Sequence, residues 1–225
     1  MMKTRVLYLT PFKSPFMSVE EKILRSKYQV TKYAMNQGSS FGTLIIAYIR
    51  LIWNLLFLIP RTDLVVTWFA DYHSAVLSLF TKLFRRKLII FVGGYDCTLY
   101  PALNRGAYLN PFRGKCTAFA LSHCDLIMVN HAALVKSLNT YYLPEGHKDG
   151  YLYYTPAIHT KYRLIRNGYD ASILKRDPAT SKQKNLIMCV GITPHWEDVS
   201  NKGFDLLIDI AKRNPQWDFI LIGIK

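Results

Sequence analysis

Short apolar runs that alternate with helix-length segments constrain the fold of this chain most strongly. Two of these runs, residues 64–67 and 88–92, are continuous and rich in β-branched side chains, which is typical of strands covered on both faces. The segment between them, residues 75–83, has the composition of a helix. This alternation predicts an α/β fold, with a parallel sheet and helices on both of its faces.

The rest of the first 170 residues continues the pattern. Ser18 and Glu21 have the form of a capping box, so the start of a short helix is predicted there. The other predicted elements in this part are strands at residues 6–9, 28–34 and 126–129 and helices at residues 116–122 and 132–138.

A long polar stretch, residues 170–184, contains Pro178 and several lysines. It predicts a linker between a first domain, residues 1–169, and a second domain, residues 185–225. The second domain is predicted to contain a strand at residues 185–191, a helix at 203–213 and a strand at 219–222. Because one strand–helix–strand unit cannot bury both faces of its sheet, we expect the second domain to be incomplete in this chain.

The charge of the chain is strongly positive and unevenly distributed. The formal net charge is +14, and residues 1–160 hold 18 basic against 8 acidic residues. Such a surface favours anionic partners such as phosphates or acidic lipids. No nucleic-acid-binding motif accompanies the charge, so nucleic acid is not expected as a partner.

Cysteine spacing and the N-terminus bear on the compartment. The four cysteines form no CxxC pair, so neither a zinc ribbon nor a thioredoxin-type motif is predicted, and nothing requires an oxidising compartment. The apolar run near the N-terminus is too short for the core of a signal peptide. We therefore expect a cytoplasmic protein.

Residues 44–60 form the most apolar segment, with Arg50 near its middle. A transmembrane helix needs about 20 apolar residues, and a central arginine costs about 2.5–3.5 kcal/mol. In a helix, Thr43, Ala47, Arg50 and Asn54 would share one narrow face. Three interpretations remain open at this point: a helix buried in the core, a helix lying in a membrane interface, and a membrane-spanning helix.

Ligands of open α/β sheets bind at the carboxyl ends of the strands, so the candidate site residues are those in the following loops. Lys13 and the amides of its loop could hold an anion. Asp71 could cap the next helix, and His73 could act as a base or be structural. Gly93 and Gly94 could allow close approach of a ligand or form a tight turn. A carboxylate after the glycines could bind ligand hydroxyls or orient a neighbouring loop. The candidates are Lys13, Ser14, Asp71, His73, Gly93, Gly94, Tyr95 and Asp96.

The second domain contains a different pattern. Gly191 ends a predicted strand, a ten-residue loop follows, and Lys202 and Gly203 open a helix. A cation beside helix-terminal amides suits a diphosphate. The alternative is an ordinary helix with a lysine in its first turn, which the helix dipole slightly disfavours.

Four motifs occur in an order and spacing that point to one family. Residues 93–96 lie where that family has "H-G-s-D", and residues 124–129 resemble its "a-D-l-v-i-a". Residues 163–170 resemble "v-i-p-N-G-v-D", and residues 186–191 followed by 202–208 resemble "f-v-G-r … K-G-x-d-l-L-i". Over nearly its whole length the chain thus resembles glycosyltransferase family four, whose members are retaining enzymes of the GT-B fold.

The resemblance implies a Rossmann-type acceptor-side domain and the first βαβ unit of a donor-binding domain. It implies transfer of a sugar from a nucleotide-sugar donor to a glycan or lipid-linked acceptor, in polysaccharide biosynthesis, with no metal or other cofactor. Lys13, Ser14, Asp71, His73 and residues 93–96 would belong to the acceptor-side loops, and Gly191, Lys202 and Gly203 to the donor diphosphate site. Independently of the family, the positive charge and residues 44–60 would suit a location on the inner face of the membrane, with the anionic membrane surface as a partner.

Three departures from the family pattern limit this expectation. The arginine that usually follows the strand-end glycine is replaced by Ile192 or Thr193, and the family's acceptor-loop histidine corresponds to Gly93. The sequence ends before the E-x7-E element of the family. We therefore expect this chain alone to lack the full donor site, and its catalytic residues stay unassigned.

Two alternatives remain. The positive first domain and residues 44–60 would also suit a membrane-surface binding module. A sugar-nucleotide 2-epimerase has the same two-domain architecture, although its acid and base groups are not identifiable in this sequence.

Overall fold

The computed structural model describes residues 3–35, 40–140, 143–169, 171–172, 174–193, 199–200 and 202–224. The chain divides into two compact units, Met1–Asn167 and Gly168–Lys225. Asp170, in the predicted "N-G-v-D" motif, and residues 194–198 and 201 of the predicted diphosphate loop lie outside the described residues.

The first unit is built around a six-stranded parallel sheet with the strand order β2-β1-β3-β4-β5-β8. A short antiparallel pair, β6 and β7, is separate from it. The elements in chain order are β1 (Arg5–Thr10), α1 (Pro15–Lys27), β2 (Gln29–Ala34), α2 (Phe41–Leu58), β3 (Leu64–Trp68), α3 (Tyr72–Leu83), β4 (Lys87–Val92), α4 (Pro111–His123), β5 (Leu126–Val129), β6 (Ser137–Asn139), β7 (His147–Asp149), α5 (Tyr151–Tyr154) and β8 (Tyr162–Leu164).

The sheet has a core on each face, as the period-2 alternation of its strands requires. Leu7 and Leu9 of β1 belong to the larger core, which includes buried residues of α2, α3 and α4. Val6 and Tyr8 belong to the smaller core, together with Met17 of α1. Helices therefore cover both faces, and the predicted α/β, Rossmann-type fold class is confirmed.

Helix α2, which corresponds to the predicted segment 44–60, is buried along only one side. Ala47, Leu51 and Leu55 face the larger core, whereas Ile49 and Trp53 are exposed. The segment Phe41–Arg61 is long and apolar enough to cross a membrane by length and composition. Because its buried side packs on the sheet, α2 is part of the folded domain, but it is not the deeply buried core helix that was one interpretation.

The predicted capping box at Ser18 and Glu21 is wrong. Helix α1 begins at Pro15, with Ser14 at the N-cap, and the Ser18 hydroxyl donates to the Ser14 carbonyl within the first turn. Proline suits the first helical position because its missing N–H would have no partner there and its φ is already helical. Glu21 instead forms ion pairs with Arg25 and Lys32.

The predicted helix at residues 132–138 is also wrong. A single 3-10 turn at Ala132–Leu134 is followed by β6, which pairs with β7. Gly150, just after β7, has a φ of 97°, and a Cβ there would lie 2.6 Å from the amide nitrogen of Lys136. The pairing depends on this close approach between distant segments, so local periodicity does not reveal it.

The second unit contains β9 (Leu186–Thr193), α6 (Phe204–Arg213) and β10 (Asp218–Ile224), with the two strands parallel. This is the predicted βαβ unit. Met188, Val190 and Ile192 are exposed on its sheet, as expected when two strands and one helix provide too little structure to cover both faces.

Candidate functional site

The strand order reverses between β1 and β3. The chain runs from β1 to one edge at β2 and then returns to β3 on the other side of β1, and such a reversal is where open α/β sheets bind ligands. Phe12 follows β1 and Phe69 follows β3, and their stacked rings are 5.4 Å apart. Two of the predicted site loops therefore meet at this point.

An aromatic cluster lines this edge of the sheet, and sequence reasoning did not identify it. Phe16 packs edge-on against Trp68 at 4.8 Å, and Trp68 stacks on Phe91 at 4.9 Å. Phe12 and Phe16 are about half exposed, at 50% and 46%. Exposed rings on a well-packed base offer a surface for a sugar ring or an apolar group. We call Phe12, Phe16, Trp68, Phe69 and Phe91 the aromatic cluster.

Glu20 of α1 holds the base of this cluster in position. Its carboxylate accepts hydrogen bonds from the hydroxyl of Tyr8 in β1 and from the indole nitrogen of Trp68 in β3. Burial and the neighbouring Glu20 carboxylate raise the pKa of Tyr8 well above its usual value. The Tyr8 hydroxyl therefore stays protonated and acts as a hydrogen-bond donor.

Asp96 connects two of the predicted loops from inside the protein. It is buried, and its carboxylate accepts from the amides of Ala70 (2.9 Å), Gly93 (3.0 Å) and Gly94 (3.0 Å). Burial raises the pKa of Asp96 to about 6, and the amide hydrogen bonds oppose that shift. Of the two predicted roles, the contacts match the orienting of a neighbouring loop.

The two glycines before Asp96 are required for different reasons. Gly94 has a φ of 113°, a left-handed conformation that favours glycine. A Cβ on Gly93 would lie only 2.1 Å from Cε1 of Phe69. Phe69 itself has a φ of 66°, which is uncommon for a bulky residue and costs about 1–3 kcal/mol.

His73 is a structural residue in this fold. Its ring is buried, and Nε2 lies 2.9 Å from the carbonyl oxygen of Trp68. Burial lowers the pKa of His73, so the ring is neutral near pH 7. Its backbone contact holds the end of β3.

Asp71 lies in a network that also contains Arg113, a residue that sequence reasoning missed. Asp71 caps α3 by accepting from the amide of Tyr72, and both of its oxygens accept from Arg113 at 2.9 Å. Arg113 also donates to the Tyr95 hydroxyl at 2.8 Å, and it lies over the rings of Tyr72 and Tyr95. The partners are 42 residues apart in sequence, so no local pattern indicates this pair.

Lys13 and Ser14 lie at the end of β1, where they were predicted. Lys13 is exposed beside Phe12 along the chain, and Ser14 occupies the N-cap position of α1 without a side-chain capping bond. Lys13 therefore offers an exposed cation next to the aromatic cluster.

In the second unit, the structure brings the three predicted diphosphate residues together. A Cβ on Gly191 would lie 3.0 Å from Cζ of Phe204 and 4.0 Å from Cγ of Lys202. Gly203, with a φ of 71°, forms the N-cap of α6. The amides of Lys202 and Gly203 donate to the carbonyls of Val199 and Ser200. Both of these amides therefore already have an acceptor within the protein.

Gly223 of β10 approaches the same place. It has a φ of 93°, and a Cβ there would lie 2.2 Å from the carbonyl oxygen of Gly191. The two strands are therefore in close contact at Gly191 and Gly223, and the Phe204 ring at the start of α6 lies against Gly191.

Two further observations concern other possible sites. Within the described ranges, no group of three or more histidine, cysteine, aspartate or glutamate side chains is arranged to hold a metal ion. An open cavity of about 500 Å³ lies between α5 and β8, and Tyr151, His159, Lys161 and Arg163 contribute to its lining. None of the predicted site residues lines it.

The fold and the strand-end loops define a protein of the Rossmann-type, GT-B-like α/β class. Among solved structures, the chain is similar to the crystal structure of HepE from Anabaena in complex with UDP. The TM-score is 0.50 at 10% sequence identity, over 97% of this chain and 69% of that one. At this identity the likeness concerns the fold. No protein-family model and no curated protein sequence matches the chain.

Proposed function

We propose that this chain provides the acceptor-side domain and the first part of the donor-side domain of a retaining glycosyltransferase of family four. It would transfer a sugar from a uridine diphosphate sugar to a glycan or lipid-linked acceptor, in polysaccharide biosynthesis, without a metal or other cofactor.

The observation that carries this proposal is the arrangement of Gly191, Lys202 and Gly203. A glycine near the end of β9, a lysine and a helix N-terminus lie together in the second unit. A lysine beside the first turn of a helix suits a diphosphate, whose negative charge grows as the sugar leaves. The UDP in the structure of the similarly folded HepE is compatible with the same ligand class.

The first unit favours a transferase over an epimerase of the same architecture. A transferase needs a surface for a second substrate, and the aromatic cluster offers half-exposed rings of Phe12 and Phe16 beside Lys13. Aromatic faces bind sugar rings or apolar lipid groups, and the lysine suits a phosphate on a lipid-linked acceptor. An epimerase acts on one substrate and needs no such surface.

The test is a titration of the isotopically labelled full chain with UDP, followed by NMR. We expect weak but saturable shifts of the amide signals of Gly191, Lys202 and Gly203, because the proposed diphosphate contacts lie within this chain. Lys202→Ala should weaken binding by at least about tenfold, because a hydrogen bond to a charged group contributes roughly 1.5–3 kcal/mol.

Lys212→Ala is the matched control, since Lys212 is an exposed lysine in the last turn of the same helix. Its affinity for UDP should equal that of the wild type. Absence of UDP binding, or binding that Lys202→Ala and Lys212→Ala weaken equally, would contradict the proposal.

We also propose that the protein is cytoplasmic and peripheral on the inner face of a membrane, where a lipid-linked acceptor would be available.

A further inference from the structure

The outer side of α2 exposes an unusually large number of apolar side chains. Ile49 and Trp53 are 61% and 64% exposed, and the ring of Trp53 packs on that of Phe57 at 5.4 Å. The other large exposed apolar residues of this helix are Phe41, Ile45, Ile46, Ile52 and Leu56. Contiguous apolar surface of this kind on a soluble domain marks a contact with another molecule or with a membrane.

The apolar surface continues onto the neighbouring helix. Helix α3 packs beside α2 on the same face of the sheet. Its residues Leu79 and Leu83 are 55% and 70% exposed, and they share one side of the helix because they are four residues apart. The exposed surface therefore spans two adjacent helices.

Exposed basic residues lie within and beside these two helices. Arg50 and Arg61 in and after α2, and Lys82 and Arg85 at the end of α3, are exposed. The turn after α3 lies beside the end of α2, because Arg86 donates to the carbonyl of Pro60 at 2.7 Å.

Acidic residues are absent from this surface. Neither Phe41–Leu58 nor Tyr72–Leu83, both fully described, contains an aspartate or glutamate. Of the acidic residues that flank these helices, Asp63 is paired with Arg5 and Asp71 with Arg113. The surface therefore combines apolar side chains with positively charged ones.

This combination matches one partner best. An anionic lipid bilayer provides an apolar interior for the isoleucines and Trp53 and negative headgroups for the arginines and lysines. A second copy of the chain would place two positively charged surfaces against each other, which is unfavourable. We therefore propose that the outer side of α2 and α3 is a docking surface for anionic membranes, with both helices parallel to the bilayer plane.

The proposal deepens the membrane location included in the proposed function, but it does not depend on the transferase chemistry. Vesicle binding without UDP binding would contradict the function and leave the docking surface standing. UDP binding without vesicle binding would contradict the docking surface and leave the proposed function standing.

The experiment is vesicle flotation of the full chain. It compares phosphatidylcholine vesicles with vesicles in which roughly one third of the lipid is phosphatidylglycerol, at low and high salt. We expect binding to the anionic vesicles, weakened by salt. Ile49→Glu and Trp53→Glu should each reduce it at least tenfold, and Arg85→Glu at least fivefold, because each basic residue near the surface contributes about a fivefold factor.

Ile23→Glu is the matched control, because Ile23 is a 60% exposed isoleucine on α1, which covers the opposite face of the sheet. It should bind vesicles like the wild type. Thermal unfolding of each variant checks that the fold is retained, as expected for changes at exposed positions.

Fluorescence quenching by lipids is a second readout. Its main measurement uses the unsubstituted chain, so folding defects of variants do not affect it. Brominated lipids should quench the fluorescence of the wild type, and Trp53→Phe should remove most of that quenching. Equal vesicle binding by wild type and Ile49→Glu would overturn the proposal. So would a dimer in solution that Ile49→Glu dissociates, with no binding to anionic vesicles.

Discussion

The ring of Phe69 occupies the space in which any side chain on Gly93 would begin. A Cβ at Gly93 would come within 2.1 Å of Cε1 of Phe69, in a loop where Phe69 already has a left-handed backbone. The ends of β3 and β4 therefore depend on each other, and Asp96 joins them again through the amides of Ala70 and Gly93.

Gly93→Ala should destabilise the protein by about 1–3 kcal/mol through overpacking. In a Phe69→Ala background, the same substitution should cost much less, since the ring is gone. Urea unfolding of the wild type, the two single variants and the double variant measures the coupling free energy between the two substitutions. Gly42→Ala is the control: no atom lies within 4 Å of a Cβ at that helical position, so it should stabilise slightly. Additive effects of the two substitutions would contradict the contact.

Arg113→Lys should destabilise the protein by about 1.5–3 kcal/mol, despite the retained charge. Lysine cannot reproduce the two parallel hydrogen bonds to Asp71 or the contact with Tyr95. Lys115→Ala, at an exposed position of the same helix, should change the free energy of unfolding by less than about 0.5 kcal/mol. Urea unfolding measures both. Equal stability of Arg113→Lys and wild type would show that the bidentate pair contributes little.

Protonation of His73 should destabilise the fold as the pH falls. Burial lowers the pKa of His73 below its unfolded value, so the unfolded state binds the proton first. The stability contributed by the neutral ring is full above pH of about 6.5 and is lost at up to about 1.4 kcal/mol per pH unit below it. His73→Gln keeps a donor for the Trp68 carbonyl and cannot titrate. The free energies of unfolding of wild type and His73→Gln should therefore diverge between pH 7.5 and 5; parallel pH profiles would contradict a buried neutral ring.

Asp96 should have the opposite pH dependence. Its pKa is raised to about 6 in the folded state, so protonation favours folding. This contribution is complete below about pH 4 and is lost as the pH rises through about 6. Asp96→Asn should be less stable than wild type, because its amide would face the Ala70 N–H, and the difference should grow as the pH falls from 7 to 4.5. A difference that shrinks on acidification would mean that the amide hydrogen bonds, and not burial, control this carboxyl.

The strands of the first unit show what can be predicted locally. The runs 64–67 and 88–92 became β3 and β4 with ends shifted by one residue at most, because a strand covered on both faces needs a continuous apolar run and little else. The loops after them then had to lie at one edge of the sheet. The place of those loops in the fold was thus predictable from the strands, whereas the contacts of the individual residues in them were not.

Contacts between residues far apart in sequence account for most of the features that the sequence did not predict. The pairing of Asp71 with Arg113, the approach of Phe69 to Gly93 and the β6–β7 pairing all join segments that have no shared local pattern. The capping box at Ser18 failed for another reason, since Pro15 offered an earlier helix start.

Helix α2 shows most clearly which features the sequence determines and which only the tertiary structure determines. Composition alone determined that residues 44–60 would be an apolar helix, and the alternation of strands and helices determined the α/β class. Only the tertiary structure decided which side of that helix is buried. The helix is apolar around most of its circumference, so its own sequence favours no single buried face. Packing against the sheet determines the buried side: Ala47, Leu51 and Leu55 are buried, whereas Ile49 and Trp53 are exposed.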